Sequence, residues 1–123
     1  ELHLEGIGIT DNGSQLLRNN PRLTVVNLLG TNTSDKLAPH LARLEDLEFL
    51  QLIDSGISSA GIHHLVSLKK LRQLLLFGKE IDDAAVPAIA QLKTLRYLSV
   101  HKTSISADGI EKLRAALPNC KFE

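Results

Sequence analysis

Leu23, Leu47, Leu71 and Leu95 follow one another at intervals of 24 residues, and each opens the same pattern. The stretch from Leu47 to Lys70 shows it most fully: LEFLQLIDSGISSAGIHHLVSLKK. A fixed period in the twenties marks a chain of stacked supersecondary units, because a unit that short cannot bury its own apolar face and must lay it on its neighbours. The chain of 123 residues is therefore counted in units. It holds about five, the first incomplete and the last extended, in a single domain over residues 1–123. Because it begins inside a repeat, the expectation is that it forms part of a longer protein.

Within a unit, apolar residues stand at the first, fourth, sixth and eleventh positions and a small hydroxyl residue at the ninth. Leu47, Leu50, Leu52 and Ile57 are matched by Leu71, Leu74, Leu76 and Ile81, and by Leu95, Leu98, Val100 and Ile105. Upstream, Leu23, Val26 and Leu28 match with Thr33 in the last slot, and Leu2, Leu4 and Ile9 are what the first unit retains. The alternation at Leu50, Gln51 and Leu52 has period two, which predicts a short strand with one buried face. Directly after the eleventh position come Thr10, Ser34, Ser58, Asp82 and Ser106. Their side-chain oxygens can accept from the free N–H groups of a helix start, so five helices are predicted to begin there. Inward helix faces are predicted at Ala38, Leu41 and Leu44, at Ile62, Leu65 and Leu68, at Val86, Ile89 and Leu92, and at Ile110, Leu113 and Leu117.

The recurring LxxLxLxx(S/T)xI pattern, each copy followed by a capped helix, resembles the leucine-rich-repeat family, in particular its helix-containing types similar to ribonuclease inhibitor and to bacterial repeat proteins. The resemblance covers essentially the whole chain. It implies an α/β fold: a right-handed solenoid with parallel strands on the concave face, helices on the convex face, and binding on the concave strands. Thr31, Ser55 and Thr103 stand where the family places Asn, Cys or Thr in a tight turn beneath the strand, whereas Lys79 and Ile7 depart from that pattern. Cys120 falls in the next opening-leucine slot, so a closing strand is expected near 120–123, with Cys120 as a small buried hydrophobe.

Charge and composition exclude several function classes. Lys plus Arg and Asp plus Glu both total 14, so no overall field draws in nucleic acid or an anionic membrane. No run approaches the roughly 18 apolar residues of a membrane span. A lone cysteine, Cys120, rules out an internal disulfide framework and leaves the compartment open. The five histidines do not converge as metal ligands: His63 and His64 are adjacent on a helix and diverge, although His40 lies one period before His64. Ser99, His101 and Asp54 share a strand face, but Asp54 is two strands, about 10 Å, from His101, too far to orient an imidazole. Gly6, Gly8 and Gly13 form neither a phosphate loop nor a dinucleotide fingerprint. The expectation is a non-enzymatic chain without metal or cofactor.

In a solenoid the outward strand positions superpose into rows. One row runs Val25, Phe49, Gln73, Tyr97; a second His3, Asn27, Gln51, Leu75, Ser99; a third Glu5, Leu29, Ile53, Phe77, His101. Three of the four aromatic residues fall in these rows. Contiguous exposed apolar surface marks an interaction site; the bland account is cross-strand pairs that stabilise the sheet. The reading favoured is a protein or peptide recognition module. Its partner-binding residues would be Val25, Leu29, Phe49, Gln51, Ile53, Gln73, Leu75, Phe77, Tyr97 and His101. The alternative is a structural spacer or assembly segment of a larger repeat protein. The first unit has Ser14 and Asn20 where other helices are apolar, and its strand would leave an unpaired edge, so weak self-association through that edge is also expected.

Overall fold

A computed structural model of the chain describes residues 1–5 and 10–123. Six strands, β1 (Leu2–Glu5), β2 (Val25–Leu29), β3 (Phe49–Ile53), β4 (Gln73–Phe77), β5 (Tyr97–Ser99) and β6 (Lys121–Phe122), lie side by side in chain order and all run parallel. The register follows the sequence period: Val26 faces Leu50, Leu50 faces Leu74, and Leu74 faces Leu98. Directly opposed residues of neighbouring strands point to the same side of the sheet, so each position of the repeat forms a row on one face. The expected closing strand is present as β6, where Phe122 faces Leu98.

Helices return the chain between strands: α1 (Ser14–Asn19), α2 (Ala38–Leu41), α3 (Ser59–Ile62), α4 (Val86–Ala90) and α5 (Ala107–Ala116). All five expected cap residues bond near a helix start. Ser34 accepts from Lys36 N, Ser58 from Ala60 N, Asp82 from Ala84 N and Ser106 from Gly109 N, while Thr10 Oγ1 accepts from Asn12 N. Each such cap is worth about 1 kcal/mol. The helices differ from a plain α reading, however. Asp35–Leu37 and Asp83–Ala85 are single 3-10 turns leading into α2 and α4. Pro39 and Pro87, each in the first turn that follows, have no N–H to close an i→i−4 bond, which suits an i→i−3 turn before them, although Asp11–Gly13 forms the same 3-10 turn before α1 without a proline. α5 contains no proline and runs ten residues unbroken.

One apolar core lies between the sheet and the helices. It takes the opening leucines, the inward strand residues, and the helix residue seven after each cap: Leu17, Leu41, Leu65, Ile89 and Leu113. In the fifth unit Ile110 and Val100 are only half-buried, and Gly109 takes the buried place beside Ile110. Cys120 is likewise half-buried rather than fully enclosed, and burial pushes its thiol pKa up. Among the described residues no further unit covers this end; the Arg114 guanidinium lies 5.0 Å over the Phe122 ring.

The strand exits share one backbone device. Gly30 (φ 59°), Asp54 (φ 47°), Gly78 (φ 149°) and Lys102 (φ 55°), spaced one period apart, all have positive φ. Beneath them Thr31 and Ser55 are buried, as expected for a small hydroxyl position. Thr33 Oγ1 donates to the Ser55 carbonyl, and Thr103 Oγ1 donates to Val100 O at 2.7 Å. Lys79 breaks the hydroxyl pattern but not the turn: its side chain is exposed and its carbonyl accepts from Ser104 Oγ. The expectations for Gly6, Ile7, Gly8 and Ile9 lie outside the described residues.

A ladder of polar pairs joins the helix starts. Asp11 accepts from Ser34 N and Oγ, and Asp35 accepts from Ser58 N and Oγ at 2.7 and 2.6 Å. Asp83 accepts from Ser106 N. At the remaining junction the roles exchange: Ser59 Oγ donates to Asp82 Oδ1 and accepts from Asp82 N. Each junction thus opposes one carboxylate with one hydroxyl. The Ser106 side-chain and backbone bonds hold the Asp83 pKa below its ordinary value of 3.8. A carboxylate with a lowered folded pKa stabilises the fold above its unfolded pKa, and that share is lost as pH falls through the folded value. Asp83→Asn should therefore flatten the fall in melting temperature on acidification below about pH 4. Melting curves at stepped pH measure this, with Asp46→Asn as comparison because Lys70 also lowers the Asp46 pKa. An unchanged slope in Asp83→Asn would sink the assignment.

Candidate recognition face

The outward strand residues superpose as the period requires. Val25, Phe49, Gln73 and Tyr97 face one another along one row, and Asn27, Gln51, Leu75 and Ser99 along a second. Leu29, Ile53 and Phe77 form the third. It continues past the end of β5 to His101, whose ring stands 5.9 Å from that of Phe77, centroid to centroid. All ten sequence-predicted residues therefore lie in three adjacent rows on the sheet face turned away from the core. The side chains of His3 and Glu5 are outside the description.

Two features differ from a plain exposed apolar patch. Val25, Leu29, Phe49, Gln51, Ile53, Leu75, Phe77 and Tyr97 are half-buried, and only Gln73 and His101 are exposed. Strands about 4.8 Å apart bring each side chain against its neighbours in the row, and those neighbours shield it from water. Ser99, small and set in the same face, is 2% exposed. By contrast, the one large apolar side chain that is plainly exposed among the described residues, Leu16 at 44%, lies on α1. The second difference is polar. Gln51 Nε2 donates to Asn27 Oδ1 at 2.9 Å, and this amide pair lies between Val25 and Phe49 on one side and Leu29 and Ile53 on the other. Leu75, in the same row on β4, is the apolar link toward Phe77.

Two clefts open along the strand entrances. One, of about 460 Å³, has Val25 and Phe49 for its apolar wall, with Glu1, Thr24, Asn27, Gln73, Glu48 and Arg72 also lining it. The other, of about 350 Å³, is lined by Lys69, Lys70, Arg72, Arg96, Thr94 and Glu48. The residues just ahead of the opening leucines form a charge row: Asp46 pairs with Lys70 at 2.6 Å and Arg22 at 3.4 Å. These pairs are exposed and contribute little to stability.

Other sequence-level candidates are not brought together as sites. Asp54 occupies a left-handed turn, and the ring contact of His101 is Phe77. His63 Nε2 bonds to the Ala84 carbonyl at 3.0 Å. His40 titrates lower than usual because of desolvation and the nearby Arg18 and Arg43. Among the described residues no three His, Cys, Asp or Glu side chains gather as a metal site, and no helix is long and apolar enough to cross a membrane. Sequence reasoning passed over the amide pair and the polar ladder. Asn27 and Gln51 standing one period apart, and the acids immediately following the caps at Asp11, Asp35 and Asp83, were the available signals.

No protein-family model matches the chain, and no curated protein does. Among solved structures, a leucine-rich-repeat protein of Leptospira interrogans is similar at 26% identity and a TM-score of 0.62, over 87% of this chain and 27% of that one. An internalin from Listeria monocytogenes matches in fold at 19% identity and a TM-score of 0.58, over 89% of this chain and 36% of its own. The chain thus spans about a quarter to a third of the length of these neighbours.

Proposed function

We propose that this chain, a member of the leucine-rich-repeat family, is a non-catalytic module that recognises a protein or peptide through the free face of its sheet. The observation that carries the reading is the row structure itself. Aliphatic and aromatic side chains from β2 to β5 stand together on a face that no helix among the described residues covers, interleaved with amides and bordered by clefts. Such side chains can anchor a partner, because half-buried rings still have apolar area to lose on contact. The Asn27–Gln51 pair leaves Gln51 Oε1 and Asn27 Nδ2 to fix the partner's register.

The test compares the intact chain with a Phe49→Ser, Phe77→Ser double variant as baits in lysate of the source cell. Proteins held by the first should be lost from the second. Half-burial means the double change also lowers stability, by roughly 1 kcal/mol for each ring, so both baits are used well below their melting temperatures. Retention of every partner by a folded double variant would refute the reading.

A second reading, a spacer or assembly segment, draws support from β1, the first strand in the sheet order, whose outer edge has no strand partner among the described residues. Weak self-association through that edge is its expected sign. Sedimentation equilibrium at rising concentration measures it, and a monomer throughout rejects it.

A further inference from the structure

The entrances to β4, β5 and β6 are basic and the exits of β3 and β4 acidic, whereas the entrance to β3 carries Glu45, Asp46 and Glu48 beside Arg43 and the exit of β5 carries Lys102 without an acid. Residues 66–72, 90–96 and 117–121, which lead into β4, β5 and β6, contain Lys69, Lys70, Arg72, Lys93, Arg96 and Lys121 and no acid. Residues 54–59 and 78–83, at the exits of β3 and β4, contain Asp54, Glu80, Asp82 and Asp83 with Lys79 as the one cation. Part of this follows from the fold. Every helix starts on the exit side and ends on the entrance side, so aligned peptide dipoles favour acids at one rim and cations at the other. Several entrance cations also have a bond to make: Lys69 Nζ donates to Val66 O, Lys93 Nζ to Ala116 O, and Arg96 Nη1 to Leu95 O. Lys70 pairs with Asp46.

Arg72 is different. Its guanidinium makes no ion pair or hydrogen bond among the described residues, and Arg72 and Glu48 are the two residues that line both clefts. On one side of it lie Phe49 and Val25, with the exposed amide of Gln73 and the acids Glu1 and Glu48; on the other lie Lys69, Lys70 and Arg96, where Glu48 is the one acid. A mixed recess with one apolar wall, Val25 and Phe49, therefore adjoins a recess in which cations outnumber the one acid, with an unengaged bidentate donor at the junction.

We infer that this face takes an extended acidic peptide segment, which seats an apolar side chain against Phe49 and Val25 and brings a carboxylate to Arg72. The inference rests on the recognition-face reading above and specifies its partner. Crossing from β3 to the far side of β4 covers about 5–10 Å, which an extended peptide spans in roughly one to three residues. The acid therefore falls within three residues of the apolar anchor. A guanidinium fork matches a carboxylate in two parallel bonds. A nucleic acid fits less well, because the acidic rim lies only one strand length, about 16 Å, from the basic one.

The experiment is selection of a displayed random dodecapeptide library on the whole chain, followed by fluorescence anisotropy with the most enriched peptide. Enriched sequences should carry Asp or Glu within three residues of an aromatic or aliphatic side chain. Binding of that peptide should weaken at least tenfold in Arg72→Glu, less in Arg72→Gln, and progressively with added salt. Selection on Arg72→Glu should favour Lys or Arg at the same place. Arg72 is exposed, and an unchanged melt confirms that each variant is folded. Enriched peptides without acids, or equal binding to Arg72→Glu, would overturn the inference. If those peptides still lose binding on replacement of Phe49 and Phe77, the recognition-face reading survives it. If they do not, both fall. A 12-nucleotide single strand that binds through Arg72 more tightly than any peptide would also overturn the choice of partner.

Discussion

Replacing Gly56 by alanine should destabilise the chain by about 3 kcal/mol, the sum of a left-handed backbone cost of about 1–2 kcal/mol and a comparable cost for forced displacement. Gly56 has φ +76°, and a Cβ placed there would press into the Thr33 carbonyl oxygen, well inside contact distance. That oxygen is main chain of the preceding unit and cannot rotate away. Relief requires that the two units part, which weakens the contact on which a solenoid depends. Gly30 provides the control: its φ is +59°, yet a Cβ there meets nothing within 4 Å. Gly30→Ala should carry the backbone cost alone. Urea unfolding of both variants separates the two terms, and equal losses would show that the close approach at Gly56 is not what makes glycine necessary.

Leu74→Ala should cost about 2.7–5 kcal/mol, the range for fully buried leucines whose surroundings cannot collapse onto the cavity. Leu74 is completely buried in β4 and faces Leu50 and Leu98 on the adjoining strands. For a chain of this size the melting temperature should fall by roughly 10–20 °C. Leu75, one residue on, points to the free face and is half-buried. Its replacement by alanine should cost about 1 kcal/mol, since only part of its area leaves water on folding. The pair tests the register directly, because a slip of one residue exchanges the two faces. Comparable losses at the two positions would mean that the face read as free is also core.

The contrast between those two leucines was legible in the period alone, as were the strand order, the caps and the three rows. What escaped the sequence has physical causes. Asp54 and Lys102 occupy the same left-handed turn as Gly30 and Gly78. Asp tolerates that conformation better than most residues, but nothing in Lys102 announces it, because the surrounding turn imposes it. The 3-10 turns before α1, α2 and α4 are a matter of which backbone hydrogen bonds close the first turn, which apolar spacing does not register. Half-burial of Phe49 and Phe77 is a property of the row, not of the residue, since lateral neighbours supply the cover. Ile110 fits the helical spacing yet is only half-buried, because burial there requires a neighbouring unit on its outer side.

The ladder at the helix starts, with its roles exchanged at one junction, makes the order of the repeats matter. Excising residues 22–45 would bring Asp11 to Ser58, a carboxylate to a hydroxyl, the same match that Asp11 now makes with Ser34. Excising residues 47–70, a segment of the same length, would instead bring Asp35 to Asp82, with two carboxylates and no hydroxyl between them. The shorter chains would have equal length and the same strand pattern, but only the first would keep every junction complementary; melting the two at neutral pH distinguishes them. Units that look interchangeable by their leucines are thus keyed to their neighbours. A duplication or loss within such an array is accepted or rejected by the residues on either side of the new junction.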